Sequence, residues 1–351
     1  MHAAVYEANR GLSVQEIPTP RLQPGELLVR VRAASLCGTD LKILRHGHFK
    51  IPPGCRRVLG HELAGDVEET RALVPAPQVG ARVGVVPNLG CGRCERCADG
   101  EDNLCREHDA LGITLDGGFA EYVRIPAAAV ARGHVVPLPE SVSYEEGVLV
   151  EPMSCVLNAH EAVQTEAGDR VLIFGAGPMG LMHLLMARAR GARSVVVADP
   201  WPERRRRAEE FGADETVPPG EVGGLAGADG RKGFDVVMVT APRPEAQQQA
   251  IEAAAIRGRV NFFAGLPAGT PPPALNVDAV HYRQLLITGT TGSNARQYRQ
   301  TLELIGSGRL ELGRLISRRA PLQDLDGVVS AIAAKKELKV ILYPEGFEGN
   351  M

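Results

Sequence analysis

The run Val171-Leu-Ile-Phe-Gly-Ala-Gly-Pro-Met-Gly180 decides how this chain is read. Four apolar residues lead into G-x-G-x-x-G, and residues 178–190 then carry apolar side chains at helical spacing. Strand, glycine turn and helix in that order make a seat for a pyrophosphate. Gly175 permits the tight turn, Gly177 lets phosphate approach the backbone, and Gly180 lets helix and strand pack. The helix start, with Pro178 and Met179 in its first turn, offers unpaired N–H groups and the positive end of its dipole. In a chain with 40 glycines the pattern alone is weak; its position between strand and helix gives it weight.

Outward from this point the texture stays strand, helix, strand. Ser194-Val-Val-Val-Ala reads as a second buried strand, followed by Asp199 about twenty residues past the glycines. A carboxylate there accepts hydrogen bonds from ribose hydroxyls and repels a 2′-phosphate, which favours NAD over NADP. Residues 201–211 read as a charged helix. Its run Arg204–Arg207, interleaved with Glu203, Glu209 and Glu210, is a solvated face rather than a nucleic-acid stripe. An Arg in this place can also accommodate a 2′-phosphate, so Arg204 bears on the coenzyme. Further strands are expected at Phe234-Asp-Val-Val-Met-Val, Arg259-Val-Asn-Phe-Phe and Gln284-Leu-Leu-Ile-Thr, with loops at 218–230 and 266–275. The alternation predicts an α/β, doubly wound parallel sheet.

Residues 1 to about 150 differ. Short apolar runs such as Glu26-Leu-Leu-Val-Arg-Val-Arg and Gly80-Ala-Arg-Val-Gly-Val-Val are punctuated by Gly and Pro and read as short strands joined by turns. The tail carries a helix at 295–306 and a last strand, Lys339-Val-Ile-Leu-Tyr. At 351 residues, 44% apolar and 23% charged, with net charge −3, the chain has room for two ordinary globular domains. No apolar run approaches the ~20 residues that span a bilayer, and the first residues lack a charged leader with an apolar core. Neither a membrane nor nucleic acid is expected as a partner, and a cytoplasmic location is.

Four of the seven cysteines, Cys91, Cys94, Cys97 and Cys105, fall in the spacing C-x2-C-x2-C-x7-C. Zinc takes four soft ligands at tetrahedral corners, and a tight loop of cysteines supplies them. An iron–sulfur cluster uses similar triplets with a differently spaced fourth cysteine. Four unliganded thiols would crowd reactive groups together, so a closed structural zinc is the expectation. A second set is dispersed: Cys37 in Leu-Cys-Gly-Thr-Asp, His61-Glu62 in Leu-Gly-His-Glu, and Glu151 in Val-Glu-Pro-Met. Singly, each has a plain reading as a core cysteine, a loop histidine and the end of a strand.

Together these motifs resemble the zinc-containing medium-chain dehydrogenase/reductase family, sorbitol (polyol) and threonine dehydrogenase-like branch. The likeness runs through Cys-Gly-Thr-Asp at 37–40, Gly-His-Glu at 60–62, the cysteine lobe, Gly117-Gly-Phe-Ala-Glu-Tyr-Val, Glu151-Pro and the glycines at 175–180. It implies a GroES-like catalytic domain from 1–154 and 291–351, and a Rossmann domain at 155–290 with the site in the cleft between them. It also implies a catalytic zinc on Cys37, His61 and one of Glu62 and Glu151, with one position open. That zinc would act as a Lewis acid toward a substrate hydroxyl while NAD takes the hydride. Thr39 matches the proton-relay hydroxyl, and Gly265, Leu266 and Thr290 align with segments near the nicotinamide. Lys42 stands where the animal alcohol dehydrogenases carry a His, which weakens a threonine dehydrogenase reading.

The implied substrate is a polar secondary alcohol (polyol, sugar or cyclitol). The alternatives are L-threonine, a simple alcohol, or a zinc-stabilised binding protein without turnover. A homo-oligomer is implied, a tetramer before a dimer, with strand 284–288 as a contact. Of the residues without motif context, His46 and His48 are possible cleft-lining groups, and Asn158 and His160 are placed at the domain boundary.

Overall fold

Arg170–Phe174 is buried at all of its positions, and Ser194–Ala198 at all but its first. Strands apolar on both faces need cover on both faces, which is the setting of a parallel sheet. The computed structural model describes residues 1–8, 10–225 and 232–345, and it divides the chain into two units. One is Met1–Ser154 with Gly292–Met351, and the other is Cys155–Thr291.

In the second unit, six strands among the described residues form one sheet. Their order is Glu215–Val217, Ser194–Ala198, Arg170–Phe174, Phe234–Val239, Ala254–Phe262 and Leu286–Gly289, every pairing parallel. The doubly wound sheet expected from the sequence is therefore found. The carboxyl ends of the three strands from 170, 194 and 234 point to one edge, where such sheets bind ligands. The stretch expected as a loop at 218–230 contains a 3-10 turn, Pro219–Gly224, and its residues 226–230 lie outside the described residues.

The first unit is built on antiparallel pairing. Its largest sheet centres on Leu27–Ser35, flanked by Glu62–Thr70 on one side and Lys339–Tyr343 on the other. Ile316–Pro321 pairs in parallel with Lys339–Tyr343 at the edge. The core beneath includes Leu59, Leu63, Phe119, Ile125 and Leu342, all essentially inaccessible. Register brings distant segments together: Ser35 faces Glu62 across one ladder and Ile341 across the other. Cys37 follows two residues after Ser35, and its charge acts on Lys339 at the start of the third strand. The helix Tyr144–Ala162 contains Glu151 and Pro152. The plain reading of Glu-Pro as a strand end fails here, because the helix is long enough and packed enough to hold an internal proline.

Candidate metal and dinucleotide sites

The four-cysteine lobe forms a compact knuckle. All four sulfurs lie within 4.8 Å of one another, with Cys94 Sγ 3.5 Å from Cys97 Sγ and 3.7 Å from Cys105 Sγ. A zinc–sulfur bond of ~2.3 Å sets sulfur separations of about 3.8 Å in a regular tetrahedron, so the spacing fits that ion. Backbone N–H groups of Arg93 and Cys94 hold the Cys91 thiol down at about 6, while burial pushes Cys97 up to about 12. An ion here displaces the Cys97 proton as it binds.

Beside Cys97 lies a polar clamp the motif did not announce. Arg132 donates to the Gly90 carbonyl at 2.6 Å and to Asp102, which His134 also contacts at 3.2 Å. The Cys97 sulfur is within reach of the same guanidinium. A Cβ at Gly90 would overlap Cys97 Sγ and crowd Asp102, so only glycine lets the clamp and the sulfur meet.

The second constellation is assembled from separate segments. Cys37 immediately precedes the helix Gly38–His46, and its N–H donates to Asp40 Oδ2 at 2.8 Å. His61 is nearly buried and immediately precedes the strand Glu62–Thr70. Ligand atoms of Cys37, His61 and Glu62 lie within 4.8 Å of one another. Asp40 Oδ1 stands 3.7 Å from His61 Nδ1, and neither atom has a hydrogen bond among the described residues. Because Asp40 addresses Nδ1, the arrangement supports Nε2 as the ligand, in the manner of outer carboxylates that orient metal-binding imidazoles. Burial opposes charge on His61, but Asp40 and Cys37 outweigh it and lift its pKa well above the usual range. That field calls for a cation, and a thiolate, an imidazole and a carboxylate converging there fit zinc with one position left over.

Glu151, also nearly buried, lies outside this triplet but acts on the charge of both His61 and Lys339. Thr39 is half-buried in the first turn of its helix. Lys339 holds Glu62: its Nζ donates to Oε1 at 2.7 Å and also contacts Oε2, with both side chains buried.

In the other unit, Gly175 to Gly180 joins the strand Arg170–Phe174 to the helix Pro178–Ala189. A Cβ at Gly180 would overlap the Gly175 carbonyl oxygen, so the third glycine is a packing requirement. Asp199 follows the next strand. Its carboxylate accepts from the N–H of Ala176 at 2.8 Å and of Trp201 at 2.9 Å, with Arg204 Nη1 3.9 Å away. Gly265 and Leu266 follow Ala254–Phe262, and Thr290 follows Leu286–Gly289 and donates to Asn261 Oδ1 at 3.3 Å. Phe262 and Gly289 are register partners, so these segments leave adjacent strand ends. Thr240, unremarked in the sequence, donates to the Phe174 carbonyl at 2.8 Å and steadies the glycine turn.

His160 is fully buried, 2.9 Å from Thr165 Oγ1 and 3.2 Å from His183. Burial keeps both imidazoles neutral, His183 pushed down to about 3. His46 is exposed, and His48 accepts the Lys50 N–H at 3.2 Å.

The family model for the alcohol dehydrogenase GroES-like domain matches residues 23–140, and that for zinc-binding dehydrogenases matches 178–307. The chain is 33% identical to sorbitol dehydrogenase of Bacillus subtilis, over 98% of this chain and 97% of the relative. It is 33% identical to L-threonine 3-dehydrogenase of Pyrococcus abyssi, over 88% of each chain. Among solved structures, a zinc-binding dehydrogenase of Sinorhizobium meliloti bound to NADP superposes with a TM-score of 0.89. It is 35% identical, over 98% of this chain and 99% of the other.

Proposed function

On the premise that this chain belongs to the zinc-containing medium-chain dehydrogenase/reductase family, with its GroES-like and Rossmann folds, we propose that it oxidises a polar secondary alcohol with NAD. The substrate class is a polyol, sugar or cyclitol, and the product is the ketone. The observation that carries this reading is the convergence of Cys37, His61 and Glu62, with the Glu151 charge bearing on His61. The Glu62 and Glu151 pair favours the polyol-type branch over an apolar alcohol. We place the metal-binding domain at 1–154 and 291–351 and the coenzyme domain at 155–290.

When bound, zinc supplies Lewis acidity to the substrate hydroxyl and the nicotinamide supplies a hydride acceptor. The chain's own groups do the rest. Cys37, His61 and a carboxylate would hold the ion, with Asp40 facing the imidazole at 3.7 Å. Thr39 takes the hydroxyl proton outward. Bound NAD, held by the glycine turn and Asp199, would supply the two-electron acceptor that balances oxidation of the alcohol to the ketone. Gly175 to Gly180 seats the pyrophosphate, and the Asp199 carboxylate accepts from the adenosine ribose, which supports NAD over NADP.

L-threonine is the second reading, favoured by the likeness to threonine dehydrogenases and weakened by Lys42. One screen tests both: NADH or NADPH appearance over polyols, cyclitols, amino-cyclitols, sugar phosphates and threonine, with and without chelator. Turnover of a polyol or cyclitol that a chelator abolishes is the expected result. Turnover of threonine alone overturns the substrate class, equal rates with NADP overturn the reading of Asp199, and binding without turnover supports a non-catalytic protein.

The edge strand Leu286–Gly289 supports a homo-oligomer, tetramer before dimer. Leu286 is 47% exposed, and Val277 and Tyr282 just before it are 70% and 80% exposed, an apolar set that a second copy would cover. Light scattering of wild type and L286K checks it, the variant being the smaller species.

Among the described residues no helix is long and apolar enough to cross a membrane. We keep the cytoplasm as the proposed location.

A further inference from the structure

Lys339 is the residue whose place the proposed chemistry leaves unexplained. Its side chain is 4% exposed and that of Glu62 is 0% exposed, and the one ammonium spans both carboxylate oxygens. Burying a long cationic side chain is costly unless a partner compensates it. Here the partner is itself one of the three residues whose ligand atoms converge. The charges around it are those of Glu62, Cys37 and Glu151, which all favour the ammonium, and of Asp40, which faces His61 and also interacts with Lys339. Ionised, these four groups carry more negative charge than a divalent ion offsets, and Lys339 offsets part of the rest.

We infer that Lys339 is a positioning residue that withholds part of Glu62's charge from the catalytic metal, keeping the ion electrophilic and one of its positions exchangeable. This rests on the reading of Cys37, His61 and Glu62 as a metal site. The geometry is why one residue can do it. The register of Lys339–Tyr343 against Leu27–Ser35, and of that strand against Glu62–Thr70, brings Lys339, Cys37 and Glu62 to one end of three neighbouring strands. An ammonium clamped to both oxygens competes with the ion for the same lone pairs. Remove it, and Glu62 turns its whole charge onto the metal.

The consequence runs opposite to ordinary damage: losing Lys339 tightens metal binding. The test uses the full chain, stripped of metal and titrated with Co2+ against a chelator, for wild type, K339M, K339R, E62Q and K339M/E62Q. K339M is expected to bind the pocket ion about tenfold tighter, with a changed visible cobalt spectrum, and to raise the pH midpoint of turnover by about one unit. K339R returns both toward wild type. E62Q, which leaves the ammonium uncompensated, lowers the midpoint by about one unit, and the double variant lies near wild type.

Wild-type affinity, spectrum and midpoint in K339M overturn the inference, as does weaker binding. Should K339M not fold, E62Q and the double variant decide it: a double variant that keeps the E62Q midpoint overturns it. If wild type takes up metal only at the four-cysteine knuckle, the metal-site reading itself fails. If wild type fills both sites and K339M is indistinguishable from it, only the role of Lys339 fails.

Discussion

The knuckle and the pocket are both metal-ligand clusters with a cation placed against them, yet they are made in opposite ways. The knuckle draws all its ligands from one contiguous span, 91 to 105, and its sulfurs stand at tetrahedral spacing. The pocket gathers Cys37, His61, Glu62 and Lys339 from the ends of separate strands. Four thiolates satisfy an ion completely and leave it inert, whereas a mixed set with an unspent position leaves it reactive. The cations differ to match. Arg132 reaches a sulfur from a partly exposed position and steadies a closed site; Lys339 sits in the core and restrains a ligand of an open one.

The comparison breaks or sharpens under substitution. The largest effect is expected at the pocket. H61A should leave one metal per chain and lower turnover by at least about a thousandfold, roughly 4 kcal/mol at the transition state, which rate and metal analysis on one sample would show. Two metals in that variant would mean the ion is held elsewhere.

C105S should empty the knuckle and lower the thermal midpoint by ~5 °C or more, read by calorimetry, while the pocket still takes up cobalt. R132M should release knuckle zinc about 10–100-fold faster in a chelator chase with the pocket ion unaffected; equal release would reduce Arg132 to a surface contact. Smallest is D40N, which should weaken pocket metal roughly tenfold by freeing the His61 ring, with no change at the knuckle. Loss from both sites together would show that the two centres are not independent.

What could be read from the sequence follows the same division. The knuckle needed only spacing, and the dinucleotide turn needed only a strand before it and a helix after it. Both are local, and both stand where expected. The strand Ser194–Ala198 and the helix Ala295–Gly306 also fall at their expected bounds, because their apolar periodicity is strong.

What escaped was long-range. Lys339 and Glu62 are 277 residues apart, and a lone lysine opening a strand carries no signal that it will be buried. Asp40 sits inside a quoted motif, but its role depends on His61 being folded against it. Arg132, Asp102 and His134 look like scattered surface polar residues until the body of the unit brings them beside the knuckle. The plain reading of Glu151-Pro152 taken alone, the end of a strand, gives way to a helix, since a proline is a strong local signal that tertiary packing can override.

The last strand gives the pocket a history in time. A growing chain completes the knuckle once residue 105 emerges, and it finishes the contiguous unit Cys155–Thr291 well before Lys339 is made. Until then Cys37, His61, Glu62 and Glu151 exist without their ammonium. All four knuckle ligands are therefore made long before Lys339, whereas the pocket has its full set of side chains only once strand Lys339–Tyr343 is there to pair with Leu27–Ser35.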